Sequence, residues 1–284
     1  MNYMRRDSIR RNETKEDMIT TLRMELSADI FHKKSILLVE GSDDVKFAKK
    51  VCDRNVVCYE SFSGKEGLEE LIENPDIFDE RIVAVRDRDY CDTEMLPERM
   101  FAYDACCLEL MLIKSKEVEE GLYLTYYTGN LSQDRMVPNA LRQLAPLSLL
   151  RKVNEEQKMG IPLASIGFGD LIGREEDFDM EPLFLRIKKM CKNIISGNAN
   201  ELDRIIDECT QESEYIGDEQ LYELTNGHDL CLFLGVFLKS GGKCLGEKGT
   251  RDAMLNSYRK SDFIKTDLYA SLKDYQEQFR LHFV

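Results

Sequence analysis

Four acidic residues in the first third of the chain have the type and spacing that a metal-dependent reaction needs. Glu40 ends one apolar run and Asp44 follows it by four residues, while Asp87 and Asp89 follow a second apolar run. Carboxylates that are crowded together repel one another, which raises their pKa values. A hard cation such as Mg²⁺ relieves that repulsion, because it prefers carboxylate oxygens and keeps water or phosphate in its remaining positions. The residues therefore predict a Mg²⁺ site, with Mn²⁺ as the alternative ion.

The two apolar runs are predicted to place these acids at one edge of a sheet. Residues 35–39 and 82–85 are almost continuously apolar, which is typical of strands buried on both faces. In an open α/β sheet, ligands bind outside the carboxyl ends of the parallel strands. If the two strands are neighbours, Glu40, Asp87 and Asp89 converge there. Asp87 and Asp89 lie on one side of the later strand if that strand extends far enough, because side chains alternate.

The remaining pattern predicts an α/β fold, with a sheet of mainly parallel strands flanked by helices and a mostly helical C-terminal region. Residues 56–60 and 100–103 are the other predicted strands, and helical periodicity dominates from Pro182 onward. Pro138, Pro146 and Pro162 are expected to break any long helix in the middle tract. The predicted divisions are an N-terminal helical segment over 1–34, a catalytic domain over 35–125, and a middle tract with the helical C-terminal region over 126–284.

Two further charged residues are candidates for the same site. Glu109 is the one charged residue in the apolar stretch 106–113. Unpaired acids are seldom buried, so its carboxylate needs a cation, a metal ion or a route to solvent. It is either a further metal-binding acid or a glutamate that is salt-bridged or reaches solvent. Lys65 stands in a turn before a predicted helix and is either a phosphate contact or a solvated side chain.

The composition limits the classes of protein to which the chain can belong. It has 284 residues and a formal net charge of −14, so it offers no broad basic surface to hold nucleic acid by counterion release alone. Its 9 cysteines show no C-x-x-C spacing, which argues against a zinc site or a disulfide framework and favours a reducing cytoplasm. No segment approaches about eighteen consecutive apolar residues, so no membrane span is expected. No G-K-[ST] motif follows the glycine-rich segments, so the chain is not expected to hydrolyse ATP.

Two segments resemble the Toprim domain, the fold shared by topoisomerases, bacterial primases and nucleases of the overcoming-lysogenization-defect group. They are Leu37 to Asp44, with the sequence L-L-V-E-G-S-D-D, and Val83 to Asp89, with the sequence V-A-V-R-D-R-D. Phe101 to Asp104 with Glu109, and Asn226 to Leu230, resemble an uncharacterised-domain branch of Toprim proteins. That branch includes the Toprim effector of the PARIS anti-phage system.

The resemblance implies a role for each acid. Glu40 matches the family glutamate that does acid/base work or binds metal, and the two roles are not separated by the sequence. Asp87 and Asp89 match the metal-binding pair of the family. Asp44 matches the acidic position after the glycine, and Glu109 is carried over as a further metal ligand. One or two Mg²⁺ ions would then stabilise the attacking and leaving oxygens during hydrolysis of a phosphodiester bond.

The same resemblance, which is specific over residues 35–113 and loose over the C-terminal third, also implies partners and a biological setting. The PARIS-like effector is held by an ATPase partner of the ABC/AAA type, which senses a phage protein and releases it. The released effector cleaves host transfer RNA and arrests translation. By this resemblance, the chain is expected to be a cytoplasmic antiviral nuclease of abortive infection that prefers RNA to DNA and acts as a homodimer.

Other classes of protein share parts of this pattern. A non-catalytic Toprim-like module would bind a metal or nucleotide and signal to a partner, and a DNA endonuclease would use the same acids. A D-x-D phosphatase usually has its nucleophilic aspartate after the first strand, whereas here the motif follows the third predicted strand. A topoisomerase needs strand-passage domains for which the chain has no room, and a primase needs a zinc module.

Overall fold

The computed structural model describes residues 14–163, 166–173, 176–191 and 199–284, so the first thirteen residues of the predicted N-terminal segment lie outside it. Contacts between residues define two compact units. The first unit comprises Met1–Cys107 together with Arg259–Val284, and the second comprises Leu108–Tyr258.

Helices are the commonest elements of both units. In chain order they are α1 (Lys15–Ala28), α2 (Ser42–Val51), α3 (Gly64–Ile72), α4 (Leu108–Ile113), α5 (Lys116–Tyr126), α6 (Gln133–Glu156), α7 (Met180–Cys191), α8 (Ala199–Ser213), α9 (Asp218–Leu224), α10 (Gly227–Phe237), α11 (Gly246–Ser257), α12 (Lys260–Phe263) and α13 (Asp267–Phe279). The strands are β1 (Ser35–Val39), β2 (Val56–Glu60), β3 (Ile82–Arg86), β4 (Met100–Ala102), β5 (Lys239–Ser240) and β6 (Lys243–Cys244). Among the described residues, no helix combines the length and the apolar character needed to cross a membrane.

The first unit is built on a sheet of four parallel strands in the order β2-β1-β3-β4. Every residue of β1 and of β3 is buried, as their continuous apolar sequence predicts. Strands β1 and β3 are direct neighbours. Glu40 follows the first of them, and Asp87 and Asp89 follow the second. The predicted α/β class, with a parallel sheet, flanking helices and a helical C-terminal region, is therefore confirmed.

Helices cover both faces of this sheet, because its central strands are apolar on both sides. On one face, α1 and α3 pack on β1 and β3 in a core that includes Met18, Leu22, Ile36, Leu38, Leu68, Leu71, Ile82 and Ala84. On the other face, α2 meets α12 and α13, and the rings of Phe47 and Phe263 are in edge contact at 5.5 Å. Burial of one such side chain stabilises a fold by about 1.5–3 kcal/mol. The two layers together fix the sheet that carries the acids.

A buried ion pair joins the chain just before β1 to the chain just before β3. Arg81 Nη1 lies 3.2 Å from Asp29 Oδ2, and both side chains are almost fully buried. The Asp29 carboxylate also accepts hydrogen bonds from the amides of Lys33 and Lys34, at 3.1 and 2.8 Å. The carbonyl of Arg81 accepts the amide of Ile36 at 2.7 Å. These contacts hold β1 and β3 in register from the end opposite to the acids.

Helix α6 runs without interruption through Pro138 and Pro146, so the expectation that prolines break it is wrong. A proline in a helix interior removes one backbone hydrogen bond and costs about 3 kcal/mol. The buried residues of α6 are Met136, Val137, Ala140, Leu141, Leu144, Ala145, Leu147, Ser148, Leu149 and Leu150. Since each buried leucine contributes about 1.5–3 kcal/mol, burial along the helix outweighs the two lost hydrogen bonds.

Candidate active site at the carboxyl edge of the sheet

The acidic residues that follow β1 and β3 meet at the carboxyl edge of the sheet. Val39 pairs with Val85 in the parallel ladder, so the chain leaves both strands at the same level. Glu40 Oε1 accepts a hydrogen bond from the backbone amide of Asp87 at 3.0 Å. The structure thus brings together two predicted site residues that come from separate strands.

Asp44 lies in the first turn of α2 and belongs to the same cluster. Its Oδ2 accepts the amide of Gly41 at 3.0 Å, which fixes the turn between β1 and α2. Its Oδ1 accepts the hydroxyl of Tyr103 at 2.7 Å, and Tyr103 directly follows β4. Burial raises the pKa of Tyr103 well above its ordinary value, and the Asp44 carboxylate adds to that rise. The tyrosine therefore stays protonated and donates to Asp44.

Asp89 lies in the turn after β3, because the strand ends at Arg86. Its backbone has a φ of +50°, in the left-handed region that aspartate adopts more readily than most residues. Its amide donates to the carbonyl of Cys106 at 2.7 Å, which holds the turn. The directions of Asp87 and Asp89 are therefore set by this turn and not by alternation along a strand.

Two basic side chains lie against Asp89. Lys65 Nζ is 3.0 Å and Arg86 Nη2 is 3.4 Å from Asp89 Oδ2. Arg86, which is 2% exposed, also bonds Glu69 Oε1 at 2.6 Å and the carbonyl of Asp87 at 2.9 Å. A permanently charged guanidinium offsets part of the negative charge of the cluster. Lys65, which lies in the first turn of α3 and not in a loop, is thus a member of the acidic cluster and not only a solvated side chain.

Arg86 and Tyr103 are the site residues that sequence patterns did not single out. An arginine that ends a buried apolar run needs a charged partner, because charged groups are seldom buried alone. A buried tyrosine likewise needs a partner for its hydroxyl. Both residues also stand at the ends of strands, at the level of Glu40 and Asp87. Position at a strand end, combined with the need of each residue for a polar partner, is the sequence signal that could have found them.

The electrostatic surroundings of Glu40 suit proton transfer. Burial raises the pKa of its carboxyl group above the ordinary value. The amide of Asp87 and the charge of Arg86 lower it, while the charges of Asp89 and Asp44 raise it further. A carboxyl group whose pKa is moved toward neutrality can both accept and return a proton, which a general acid or base must do.

The cluster fits a divalent cation in the chemistry of its donors. Mg²⁺ is usually bound by one or two carboxylates, with water and substrate phosphates as its other ligands. Within the part of the chain that the structure describes, no three His, Cys, Asp or Glu side chains converge closely enough to hold a metal ion. Positive charge beside Asp89 comes instead from Lys65 and Arg86. A site with one or two protein carboxylates matches this arrangement, and Mg²⁺ binding stays a prediction.

Glu109 lies in the second unit, in α4, where it pairs with Arg251. Its Oε1 is 2.8 Å from Arg251 Nε, and both side chains are largely buried. Arg251 also lies 2.7 Å from Glu247 Oε1, and that oxygen is 2.7 Å from His228 Nδ1. Arg251 is thus the cation that a buried glutamate needs, as the salt-bridged interpretation requires. The role of Glu109 as a metal ligand stays a prediction.

The segment from Asn226 to Leu230 begins helix α10 of the second unit. Asn226 accepts the amide of Asp229 at 3.3 Å and so caps the helix. The Asp229 carboxylate, which is 3% exposed, accepts two hydrogen bonds from Arg151 at 2.6 and 2.7 Å. Burial raises the pKa of Asp229, and the charge of Arg151 opposes that rise. These contacts give the segment a role in holding α10 against α6.

Comparison with known protein families finds no match to this chain, and comparison with curated proteins finds none either. A fold by itself does not define an activity, so the function has to come from the residues of the site.

Proposed function

We propose that this chain is a metal-dependent nuclease of the Toprim type that hydrolyses phosphodiester bonds. The observation that supports the proposal best is the contact between Glu40 and Asp87, which joins two acid-ended strands at the edge where open α/β sheets bind ligands. Asp44 and Asp89 lie close enough for their charges to act on Glu40. Clustered carboxyl groups with a perturbed pKa, at such an edge, are typical of catalytic sites.

Each residue of the cluster has a role in this proposal. One or two of the carboxylates of Glu40, Asp44, Asp87 and Asp89 would hold Mg²⁺ or Mn²⁺, with water and substrate phosphate as its other ligands. When bound, the ion stabilises negative charge on the phosphate oxygens. Glu40 holds or moves a proton at its carboxylate, for which its raised pKa is suited. Tyr103 acts as a positioning residue, because its hydroxyl orients Asp44.

Lys65 is proposed to contact the substrate phosphate. Its ammonium group already lies 3.0 Å from Asp89 Oδ2 and is partly exposed. Its flexible side chain can turn from this carboxylate to a phosphate oxygen, since both acceptors are anionic.

RNA, and transfer RNA in particular, is the proposed substrate, with an ABC/AAA-type ATPase as the partner that controls the enzyme. This part of the proposal rests on the resemblance of residues 35–113 to Toprim effectors of anti-phage defence. The net charge of −14 does not itself favour a nucleic-acid substrate, but it is compatible with docking of the chain on a basic surface of the ATPase partner. The active form is proposed to be a cytoplasmic homodimer.

Cleavage by the purified chain of residues 1–284, without a partner, tests the proposal. Transfer RNA, single-stranded RNA and duplex DNA are incubated with the protein in Mg²⁺, Mn²⁺ or EDTA. Transfer RNA is expected to be cut in Mg²⁺ and to stay intact in EDTA or with Glu40→Gln. Cleavage by Glu40→Gln at the rate of the unchanged protein would overturn the assignment, and cleavage of duplex DNA alone would make the protein a DNA endonuclease.

A non-catalytic Toprim-like module is the second candidate. The observation in its favour is that Lys65 and Arg86 already neutralise Asp89, as they would in a site that binds and signals without turnover. Such a module would bind Mg²⁺ or a nucleotide and leave every nucleic acid of the panel intact.

A further inference from the structure

A cavity of about 440 Å³ lies in the first unit, beside the acidic edge of the sheet. It is bounded by β4, by the segment 88–96 and by the first turns of α13. Its volume is within the range of small-molecule pockets, which is about 300–1,000 Å³. Apart from Tyr103, its lining residues have no role in the acidic cluster described above.

The cavity and the acidic cluster share a wall. Tyr103 lines the cavity, and its hydroxyl donates to Asp44 on the cluster side at 2.7 Å. Arg88 also lines the cavity and stands between Asp87 and Asp89 in the sequence. Tyr103 thus contributes both to the lining of the cavity and to the hydrogen bond that reaches Asp44.

The lining combines apolar residues that are buried or half-buried with polar residues that are exposed. Leu268 is buried and the ring of Phe101 is half-buried, whereas Thr93, Asp267 and Ser271 are exposed. A flat ring system with hydrogen-bonding edges matches such a lining, because its faces pack on apolar side chains while its edge meets polar groups. Unpaired nucleobases are recognised in this way in single-stranded nucleic acids.

The charged residues of the lining favour a nucleobase over a phosphate as the group that enters the cavity. Asp104 and Asp267 both line it, and the two oxygens of Asp104 accept the amides of Asp267 and Leu268 at 2.8 Å each. Two carboxylates repel an anion and accept hydrogen bonds from N–H groups. Guanine presents two adjacent N–H donors on its Watson–Crick edge, whereas uracil presents one donor between two carbonyl oxygens. Arg88 is the lining residue that would attract the phosphate.

We propose that this cavity binds one unpaired nucleobase of the substrate, with guanine preferred, next to the phosphodiester bond that the acidic cluster cleaves. The inference rests on the proposed nuclease function and specifies the substrate of that site. The base enters between Phe101 and Leu268, its donor edge meets Asp267, and its phosphate lies toward Arg88. Because the Watson–Crick edge is engaged, the nucleotide comes from a loop or a single strand.

Binding of guanosine 5′-monophosphate, uridine 5′-monophosphate and ribose 5-phosphate to the full chain tests the proposal. Titration calorimetry in EDTA makes the measurement independent of metal and of cleavage. Ser271→Tyr fills the cavity from an exposed position of α13, and Ala270→Tyr places the same side chain on a neighbouring exposed position that does not line it. Unchanged unfolding midpoints show that both variants are folded.

Guanosine 5′-monophosphate is expected to bind at least about tenfold more tightly than the other two probes. Ser271→Tyr is expected to weaken that binding at least about tenfold, and Ala270→Tyr to leave it within about twofold. Asp267→Asn should reduce the preference for guanosine over uridine 5′-monophosphate about tenfold. Equal binding of ribose 5-phosphate, or equal binding by Ser271→Tyr, would overturn the inference.

The two proposals fail in different ways in this design. If cleavage needs Mg²⁺ but guanosine 5′-monophosphate does not bind in EDTA, the base-site proposal is wrong and the nuclease proposal stands. If guanosine 5′-monophosphate binds, Ser271→Tyr abolishes that binding and the protein cuts no nucleic acid, the base-site proposal is supported and the nuclease proposal is wrong.

Discussion

The side chain of Glu40 accepts a hydrogen bond from the backbone amide of Asp87, which lies 47 positions further along the chain. This contact couples the Glu40 carboxylate, at the end of β1, to the backbone that follows β3. It also favours the ionised form of Glu40 and limits the rise in pKa that burial produces. Because the donor is a backbone group, changes to the side chain of Asp87 should leave the position of Glu40 intact.

Removal of the Glu40 carboxylate should stop the reaction without unfolding the protein. Glu40→Gln is expected to lower the cleavage rate by about 10²–10⁴-fold, which is the usual contribution of a general acid or base. The amide oxygen of glutamine can still accept the hydrogen bond from Asp87, and it carries no charge that burial penalises. The unfolding midpoint of Glu40→Gln at neutral pH should therefore equal or exceed that of the unchanged protein. The control variant Glu66→Gln, at an exposed position of α3, should keep the full cleavage rate. A rate for Glu40→Gln within threefold of the control, in about equal amounts of folded protein, would contradict this role.

Mg²⁺ should stabilise the folded protein through the same carboxylates. An ion that binds only the folded state raises the free energy of unfolding by about 2.7 kcal/mol at a hundredfold excess over its Kd. Asp89→Asn should lose most of this gain, whereas Asp274→Asn, at an exposed position of α13, should keep it. Lys65→Met should bind Mg²⁺ more tightly, because the ammonium that competes for Asp89 is gone. Unfolding midpoints are measured in EDTA and in a series of Mg²⁺ concentrations. If the midpoint of the unchanged protein does not respond to Mg²⁺, the proposed metal site is contradicted.

The hydroxyl of Tyr103 should matter to stability and to metal binding together. Tyr103→Phe removes the donor to Asp44 and should lower the free energy of unfolding by about 1.5–3 kcal/mol, as expected for a hydrogen bond to a charged group. Loss of that donor also disfavours the ionised form of Asp44, so binding of Mg²⁺ should weaken. Tyr269→Phe is the matched control in the same unit, because its hydroxyl makes no hydrogen bond to the residues that the structure describes. If Tyr103→Phe and Tyr269→Phe behave alike in both measurements, Tyr103 has no positioning role.

The sheet and the meeting of its acids could be predicted from local sequence. Residues 35–39 and 56–60 form strands where the apolar runs indicated, and a parallel sheet brings its carboxyl ends to one edge. The contact of Glu40 with Asp87 follows from that arrangement once β1 and β3 are neighbours. Each of these steps depends on a pattern within one segment and on a general rule of sheet topology.

The partners of single charged and polar groups could not be predicted, because they come from distant parts of the chain. Nothing near Glu109 in the sequence indicates Arg251, and nothing near Asp44 indicates Tyr103. Helix α6 was misjudged for a related reason. The cost of Pro138 is a local property, while the burial that offsets it depends on the surrounding helices.

The pair of Glu109 and Arg251 should be structural in the second unit. Arg251→Met leaves a buried carboxylate without its cation and should lower the free energy of unfolding by about 3–5 kcal/mol. The double variant Glu109→Leu with Arg251→Met should recover much of that loss, because neither charge then remains buried. Chemical denaturation of the two single variants and the double variant measures the coupling. Additive losses would contradict the pairing, and a loss of Mg²⁺ stabilisation in Glu109→Gln would instead support the metal-ligand role.

The stability of the first unit should fall in acid through the carboxylates around Arg81. Burial by itself would raise the pKa values of Asp29 and Asp79, but hydrogen bonds from backbone amides and from Arg81 outweigh it and lower both pKa values. A lowered pKa means that the folded state favours the ionised carboxylates. Their contribution is therefore complete above the unfolded pKa, which is about 3.9, and it is lost as the pH falls through the lower pKa of the folded state.

Arg81→Met tests this dependence, because it removes one source of the lowered pKa values and leaves the backbone hydrogen bonds. The variant should be less stable than the unchanged protein by about 3 kcal/mol at pH 7, since Asp29 loses its buried partner. The difference should shrink as the pH falls below about 4, where the carboxylates of both proteins take up protons. Urea denaturation between pH 7 and pH 3 measures it, with Arg54→Met as an exposed control that should stay within about 0.5 kcal/mol at every pH. If the difference in free energy of unfolding between Arg81→Met and the unchanged protein stays constant from pH 7 to pH 3, Arg81 stabilises the strands by packing alone. It would then not act on the two carboxylates.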